Sequence, residues 1–92
     1  MTAELFPPGR IAITPGVAEA FAGRTHLLAG LLSRHLTGDW GDLDADDRAA
    51  NREALATGAR LLSAYESAGL PRVWIITEAD RASTCILLPE EY

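Results

Sequence analysis

The spacing of apolar residues changes near Gly58, and this change constrains the fold more than any other feature of the chain. Before Gly58 the spacing is helical, most clearly over residues 26–36, where one face carries Leu27, Leu28, Leu31, Leu32, His35 and Leu36. After Gly58 the apolar residues form short runs separated by turn formers, which is typical of strands. A chain of 92 residues is long enough for one domain. We therefore predict a single α+β domain.

Three helices are predicted before Gly58, over residues 15–22, 26–36 and 44–57. Thr14 and Pro15 start the first, because a hydroxyl can cap a helix and proline is tolerated at its first position. Thr25 is predicted to cap the second helix. Asp44 is predicted to open the third, with acidic residues following it at the positive end of the helix dipole. A glycine, the residue that most often ends a helix, follows each of them.

Three strands are predicted after Gly58, over residues 59–66, 72–78 and 83–89. The SAGLP and ADRA segments between them are short and rich in turn formers, so the three strands form an antiparallel meander. Residues 9–14 are predicted to add a strand with Ile11 and Ile13 on one face. Residues 1–8 are predicted to form a loose N-terminal arm. The resulting fold has three short helices packed on a small antiparallel sheet.

The last two predicted strands are apolar on both faces, and such strands need cover on both sides. Three short helices cover one face. The other face carries one of two alternate sets, which are Trp74, Ile76, Cys85 and Leu87, or Val73, Ile75, Ile86 and Leu88. We expect a protein partner or a symmetric homodimer to cover that set. The alternative is that the arm, with Leu5 and Phe6, or the loop around Trp40 folds over it.

The charge and the composition exclude several classes of function. All eight basic residues are arginines, and the formal net charge of −5 argues against direct binding to nucleic acid. No apolar run approaches the length of a membrane span, and the first residues show no export signal. The single cysteine, Cys85, indicates a reducing compartment, so we expect a cytoplasmic protein.

His35 is the first candidate for chemistry, because it lies within an apolar helical face and is followed by Asp39 and Asp42. Such a histidine can act as a general base oriented by a carboxylate. The interpretation we prefer is a packed, structural histidine that is bonded to a neighbouring backbone group or carboxylate. A metal site that uses both histidines is excluded, because nine residues place His26 and His35 on opposite sides of one helix.

Three further features have a structural and a functional interpretation. The acids from Asp42 to Glu53 match the side-chain ligand positions of an EF-hand loop, but the required glycine is replaced by Asp47, so we favour a helix N-terminus and expect no metal. Trp40 can be a binding anchor, although a tryptophan that pins its own loop to the core is the preferred interpretation. Cys85 alternates with apolar neighbours, which favours a small core residue over a nucleophile.

Three segments carry a resemblance to known sequences. They are SRHLTGDWGDLDADDRAAN, LLSAYES and VWIITEADRASTCILLPEEY. In these segments the chain resembles short uncharacterised proteins of bacterial plasmids, phages and integrated mobile elements, some of which are labelled plasmid-related protein or type I restriction endonuclease subunit M. The resemblance implies a setting in mobile DNA and carries over no functional residues. A methylase role does not fit, because the chain lacks a glycine-rich cofactor turn and an Asn-Pro-Pro-aromatic loop.

Two functional hypotheses follow. The first is a non-catalytic protein-binding module of a mobile element that engages a host or element-encoded protein, with a host defence system as one target. The second is a small enzyme, or a ligand- or metal-binding domain, built on His35 and the Asp39–Asp47 loop. The candidate binding residues are His35, Asp39, Trp40, Asp42 and Trp74. No catalytic residue and no cofactor are assigned.

Overall fold

Four strands form one mixed sheet, accompanied by three α-helices. The computed structural model describes residues 3–92. In chain order the elements are β1 (Arg10–Ile13), α1 (Pro15–Ala20), α2 (Thr25–Leu36), α3 (Ala45–Thr57), β2 (Leu61–Ser67), β3 (Leu70–Thr77), β4 (Ser83–Leu87) and a 3₁₀ turn (Pro89–Glu91). The predicted α+β class and the C-terminal meander are confirmed. Within the described residues no helix is long and apolar enough to cross a membrane.

The first strand departs from the predicted antiparallel sheet. β2, β3 and β4 pair antiparallel, but β1 lies parallel to β4, with Arg10 opposite Ser83 and Ile13 opposite Ile86. The whole of α1 to β3 lies between these two strands in the sequence, and so long a connection allows a parallel pairing that a short turn forbids. The strand order in the sheet is therefore β1-β4-β3-β2, and both β4 and β3 have a neighbouring strand on each edge.

The helix ends follow the predicted capping, with one exception. Thr14 caps α1, because its Oγ1 accepts a hydrogen bond from the Val17 N–H at 3.4 Å. Asp44 caps α3, since its carboxylate accepts from the Asp47 N–H at 2.8 Å. The prediction that Thr25 caps α2 is wrong: Thr25 is the first residue of the helix, and the residue before it makes no side-chain capping bond.

Helices α1 and α2 cover the face of the sheet that carries Val73, Ile75 and Ile86. These residues form one buried cluster with apolar side chains of both helices and of β2, namely Val17, Phe21, Leu28, Leu31 and Tyr65. Because side chains alternate along a strand, Trp74, Ile76, Cys85 and Leu87 point to the opposite face. The structure thus decides between the two alternate sets.

A second buried cluster joins the N-terminal arm to α3 and the start of β2. It consists of Phe6, Leu36, Trp40, Ala54 and Leu61. Residues 3–8 have no regular structure, but Phe6 is buried, and the Leu5 N–H donates to the Leu36 carbonyl at 2.8 Å. The arm is therefore anchored on the helix side of the sheet and is not loose at Phe6. Neither Phe6 nor Trp40 covers the Trp74 side.

Arg81 ties the β3–β4 turn to the end of α3. Its guanidinium donates to the carbonyls of Ala59 at 2.6 Å and Ala54 at 3.1 Å, and it lies 5.7 Å from the centre of the Phe6 ring. The backbone of Arg81 is left-handed, with φ of 59°. Such a conformation is uncommon for a side-chain-bearing residue, and the hydrogen bonds and the ring contact hold it in place.

The outer edge of β2 is closed by side-chain and loop groups. The Asn51 side chain on α3 donates to the Leu62 carbonyl at 2.6 Å and accepts from the Leu62 N–H at 3.1 Å. One step along the strand, the Ala64 N–H donates to the Trp40 carbonyl, and the Ala64 carbonyl accepts from the Asp42 N–H. The backbone groups that an edge strand leaves open are therefore paired at both positions.

Replacing Asn51 with alanine should destabilise the domain. The change leaves the Leu62 N–H and carbonyl without their partner at a site where Asn51 is 4% exposed, and we expect a loss of about 1–3 kcal/mol in the free energy of unfolding. Denaturant titration measures this loss. Glu53→Ala, an exposed position on the same helix, is the control and should change stability little. Equal stability of Asn51→Ala and the parent chain would show that the edge does not depend on this amide.

Candidate functional site

His35 extends from α2 into the interior between the helix and the sheet. Its side chain is 0% exposed. The Nδ1 atom lies 2.5 Å from Ser63 Oγ on β2, and Nε2 lies 2.9 Å from Thr77 Oγ1 on β3. The rings of Phe6 and Trp40 meet the imidazole edge-on, with centres 5.3 and 5.7 Å away. Both ring nitrogens therefore have a buried partner.

The hydrogen bonds continue beyond His35, and the number of available protons fixes their direction. Thr84 Oγ1 donates to the Pro8 carbonyl at 2.7 Å, because a carbonyl only accepts. Thr84 must then accept from Thr77, which lies 2.7 Å away. Thr77 has no second proton, so it accepts from His35 Nε2. In the neutral ring Nδ1 is the acceptor, and Ser63 donates to it.

Burial lowers the pKa of His35 to about 4. The imidazole is accordingly neutral at neutral pH, in the form that carries its proton on Nε2. The preference for a packed, structural histidine is confirmed. The predicted partners are wrong, however, since His35 is bonded to the hydroxyls of Ser63 and Thr77 and not to a backbone group or a carboxylate. A general base must reach its substrate, and this ring has neither an open face nor a free nitrogen.

The two acids proposed to orient His35 have other partners. Asp39 pairs with Arg34 at 2.7 Å, and this hydrogen bond lowers the pKa of the Asp39 carboxyl. Asp42 accepts from the backbone N–H of Glu66 at 3.0 Å. Both side chains are exposed and neither is hydrogen-bonded to His35. The structure thus contains no histidine–carboxylate pair at this position.

The loop around Trp40 is built to lie against β2. Trp40 is buried, which confirms that it pins its own loop to the core. The next residue, Gly41, has φ of +74° and approaches β2 so closely that an added Cβ would lie 2.1 Å from the Ala64 carbonyl oxygen. Only glycine fits both constraints. Tyr65 also donates its hydroxyl proton to the Asp39 carbonyl at 2.6 Å. The GDWGDLD segment therefore has a structural role at each of these positions.

The acids from Asp42 to Glu53 are arranged as a helix start and not around a common centre. Asp44 is the N-cap of α3, with Asp46 and Asp47 in the first turn. Asp42 points to the backbone of β2. Over residues 3–92 there is no group of three or more His, Cys, Asp or Glu side chains placed to hold a metal ion.

Trp74 lies on the face of the sheet that α1 and α2 leave open. We call this surface the Trp74 face; its side chains are Leu62, Ala64, Trp74, Ile76, Cys85 and Leu87, together with Tyr92. Trp74 is half-buried, and the Tyr92 ring meets it edge-on at 5.6 Å while remaining 66% exposed. The Arg60 guanidinium lies 5.5 Å from the Tyr92 ring. Ala64, Ile76 and Leu87 are themselves buried, so the accessible part of this face consists of the exposed Tyr92 ring and the half-buried side chains of Leu62, Trp74 and Cys85.

The C-terminal turn that brings Tyr92 to this face is fixed by Glu91. One carboxylate oxygen accepts from Thr14 Oγ1 at 2.5 Å and from the Leu88 N–H at 2.8 Å, and the other accepts from the Gly16 N–H at 3.0 Å. The hydrogen bond from Thr14 is the main reason that the pKa of Glu91 is lowered. The sequence predicted a strand through residue 89 and missed this turn.

The five candidate binding residues do not form one site. His35 and Trp40 are buried neighbours, Asp39 and Asp42 lie at the surface beside them, and Trp74 lies on the opposite face of the sheet. Cys85 is also on the Trp74 face, where partial burial raises the pKa of its thiol. This raised pKa agrees with a packing role and not with a reactive thiolate.

An open hollow of about 360 Å³ borders the Trp40 loop. Its lining includes Leu5, Asp39, Arg48 and Arg52. Arg48 is already engaged, since it donates to the carbonyls of Leu43 and Gly41. This hollow lies where the sequence predicted a ligand site in the Asp39–Asp47 loop. His35 is not among the residues that line it.

Comparison of the chain with protein families, with curated proteins and with solved structures finds no match in any of the three. The resemblance to proteins of mobile elements therefore stays a prediction.

Acidification should destabilise the protein through His35. The folded state holds the pKa of this histidine at about 4, whereas the ordinary value is 6.5. Below pH 6.5 the unfolded chain therefore binds the proton more readily, and the free energy of unfolding should fall by about 2 kcal/mol between neutral pH and about pH 5. Denaturant titrations at the two pH values measure this difference.

The exposed histidine of the same helix is the matched control for this measurement. His26→Gln should retain the full acid-dependent loss, because His26 is exposed. His35→Gln should lower stability at neutral pH and reduce the acid-dependent loss. If His26→Gln removes the pH dependence instead, His35 is not the group that titrates.

Proposed function

We propose that the protein is a non-catalytic binding module that holds a protein partner on its Trp74 face. The proposal rests on one observation above all: the aromatic pair of Trp74 and Tyr92 lies on the sheet face that the helices do not cover. Tryptophan, tyrosine and arginine are the residues that most often dominate protein interfaces. Here all three types meet, since Arg60 lies against Tyr92.

The form of the Trp74 face supports a protein ligand over a small molecule. A pocket for a small ligand is concave and encloses most of its surface. The Trp74 face is instead a sheet surface with an exposed ring at its border and charged residues, such as Arg60, at its margin. A half-buried tryptophan beside an exposed tyrosine and an exposed arginine is typical of a contact between two proteins.

The charge of the chain supports a basic partner. The formal net charge is −5, and a protein of this charge associates most readily with one of opposite sign. We place the partner in the bacterial cytoplasm, and the resemblance to proteins of plasmids and phages supports a host protein, such as a component of a defence system. Direct binding to nucleic acid is not part of this proposal, because acidic proteins repel the phosphate backbone.

The alternative function, a small enzyme or ligand-binding domain, has less support. Its central residue would be His35, which is fully buried with both nitrogens bonded to hydroxyls. The remaining feature in its favour is the hollow beside Trp40, bordered by Arg48 and Arg52. A small molecule retained through purification and released by Arg52→Ala would favour this alternative.

Substitution on the Trp74 face should weaken binding of the partner. The tagged protein is used to retain proteins from a bacterial lysate, and the affinity of the purified pair is then measured for the parent chain, Trp74→Arg and Tyr92→Ala. We expect each substitution to weaken binding at least about tenfold, because truncating an aromatic anchor typically costs more than about 1.4 kcal/mol.

Leu27→Arg is the matched control, because Leu27 is an exposed apolar residue of α2, away from the Trp74 face. It should bind as the parent chain does. Thermal melting of every variant shows whether the fold is retained. A retained protein whose affinity is the same for the parent chain, Trp74→Arg and Tyr92→Ala would contradict the proposal, since the contact would then lie elsewhere.

A further inference from the structure

The two edges of the sheet differ, and this difference assigns a role to β1. The β2 edge is closed by Asn51 and by the loop around Trp40. The β1 edge has no neighbouring strand in the described part of the chain. We propose that β1 pairs antiparallel with β1 of a second copy of this chain, so that two four-stranded sheets become one continuous sheet.

The backbone of β1 presents a complete set of donors and acceptors for this pairing. The N–H groups of Arg10 and Thr14 point towards β4: Arg10 donates at 2.9 Å to the carbonyl of Ala82, the residue before β4, and Thr14 donates at 3.1 Å to the Ile86 carbonyl. Backbone groups alternate in direction along a strand. The N–H and carbonyl groups of Ile11 and of Ile13 therefore point away from β4. These groups are the ones that an added strand engages.

One register satisfies all of these groups. A two-fold axis at Ala12 places Ile11 of one copy opposite Ile13 of the other, and each such pair exchanges two hydrogen bonds. The dimer therefore gains four backbone hydrogen bonds. Pro8 and Pro15 bracket the segment, and because proline has no N–H to donate, they confine the pairing to this stretch.

The side chains of β1 also suit a second copy. Ile11 and Ile13 are 47% and 45% exposed, and they border an apolar groove formed with Leu28, Leu32 and Ile86. In the proposed register the four isoleucines of the two copies lie side by side over two such grooves. Exposed isoleucines on an open strand edge are the feature that most proteins avoid or cover.

Charge complementarity selects a second copy as the occupant. The register places Arg10 opposite Thr14 of the other copy, and the Thr14 hydroxyl is hydrogen-bonded to Glu91. Each Arg10 guanidinium thus comes near an acidic Glu91 in the other copy, and it makes no side-chain hydrogen bond within residues 3–92. Because the β2 edge is closed, association ends at two copies and the dimer is symmetric.

The apolar part of this interface is separate from the Trp74 face. The isoleucines of β1 lie on the helix side of the sheet, next to Leu28, whereas Trp74 and Tyr92 lie on the opposite side. Arg10 alternates with Ile11 and therefore lies on the Trp74 side of the sheet, so the double change at Ile11 and Ile13, and not Arg10→Glu, is the variant that leaves the Trp74 face unchanged.

Light scattering and amide hydrogen exchange on the unmodified protein test the dimer. The interface is small, and small interfaces give reversible association. We expect the mass to rise with concentration from 9.8 kDa to that of two copies. Exchange of the Ile11 and Ile13 amides should slow over the same range. A mass of one copy up to millimolar concentration, with both amides exchanging rapidly, would overturn the proposal.

Variants locate the interface. The double change Ile11→Lys and Ile13→Lys should keep the chain monomeric, and Arg10→Glu should weaken the dimer about tenfold by placing like charges together. Leu27→Lys is the matched control, because Leu27 is an exposed apolar residue outside the β1 edge, and it should dimerise as the parent chain does. A dimer that persists in the double variant, or that Trp74→Arg abolishes, would show that another surface associates.

Discussion

The buried hydrogen bonds around His35 are the interaction on which the rest of this structure depends. They join Ser63, His35, Thr77, Thr84 and Pro8, so that α2, three strands and the N-terminal arm share one network. Every proton in it has a defined acceptor. A buried network of this kind is costly when any member is unpaired and selects a single arrangement when all are paired. It therefore fixes the position of α2 over the sheet, where apolar packing alone would allow the helix to shift.

The segments most distinctive in the sequence have structural roles. Asp39, Trp40, Gly41 and Asp42 hold their loop against the edge of β2, and Arg81 holds the β3–β4 turn to α3. Function is accordingly expected on surfaces that packing does not explain. Two surfaces remain: the Trp74 face and the open edge of β1. The backbone groups at the β2 edge are paired with Asn51 and the Trp40 loop, whereas the β1 edge has no neighbouring strand in the described part of the chain. This difference is expected of a protein that pairs with itself at β1.

The sequence predicted those features of the fold that are determined by residues close together in the chain. The apolar stripe of α2, the Asp44 cap and the turns of the meander all follow from spacings within one element, and they agree with the structure. Contacts between distant residues were not predictable. The partners of His35 lie 28 and 42 positions away, and a serine or threonine gives no sequence signal that it faces a histidine. For the same reason the parallel pairing of β1, the anchoring of Phe6 and the role of Asn51 were missed.

Nitrogen chemical shifts of the two imidazoles test the arrangement of the His35 network, because they report which ring nitrogen carries the proton and at what pH the second proton binds. We expect His35 to be in the neutral form protonated on Nε2, and this form to persist on acidification until near its pKa of about 4 or until the protein unfolds. A His35 ring protonated on Nδ1, or one that titrates within the folded protein near the ordinary value of 6.5, would contradict it.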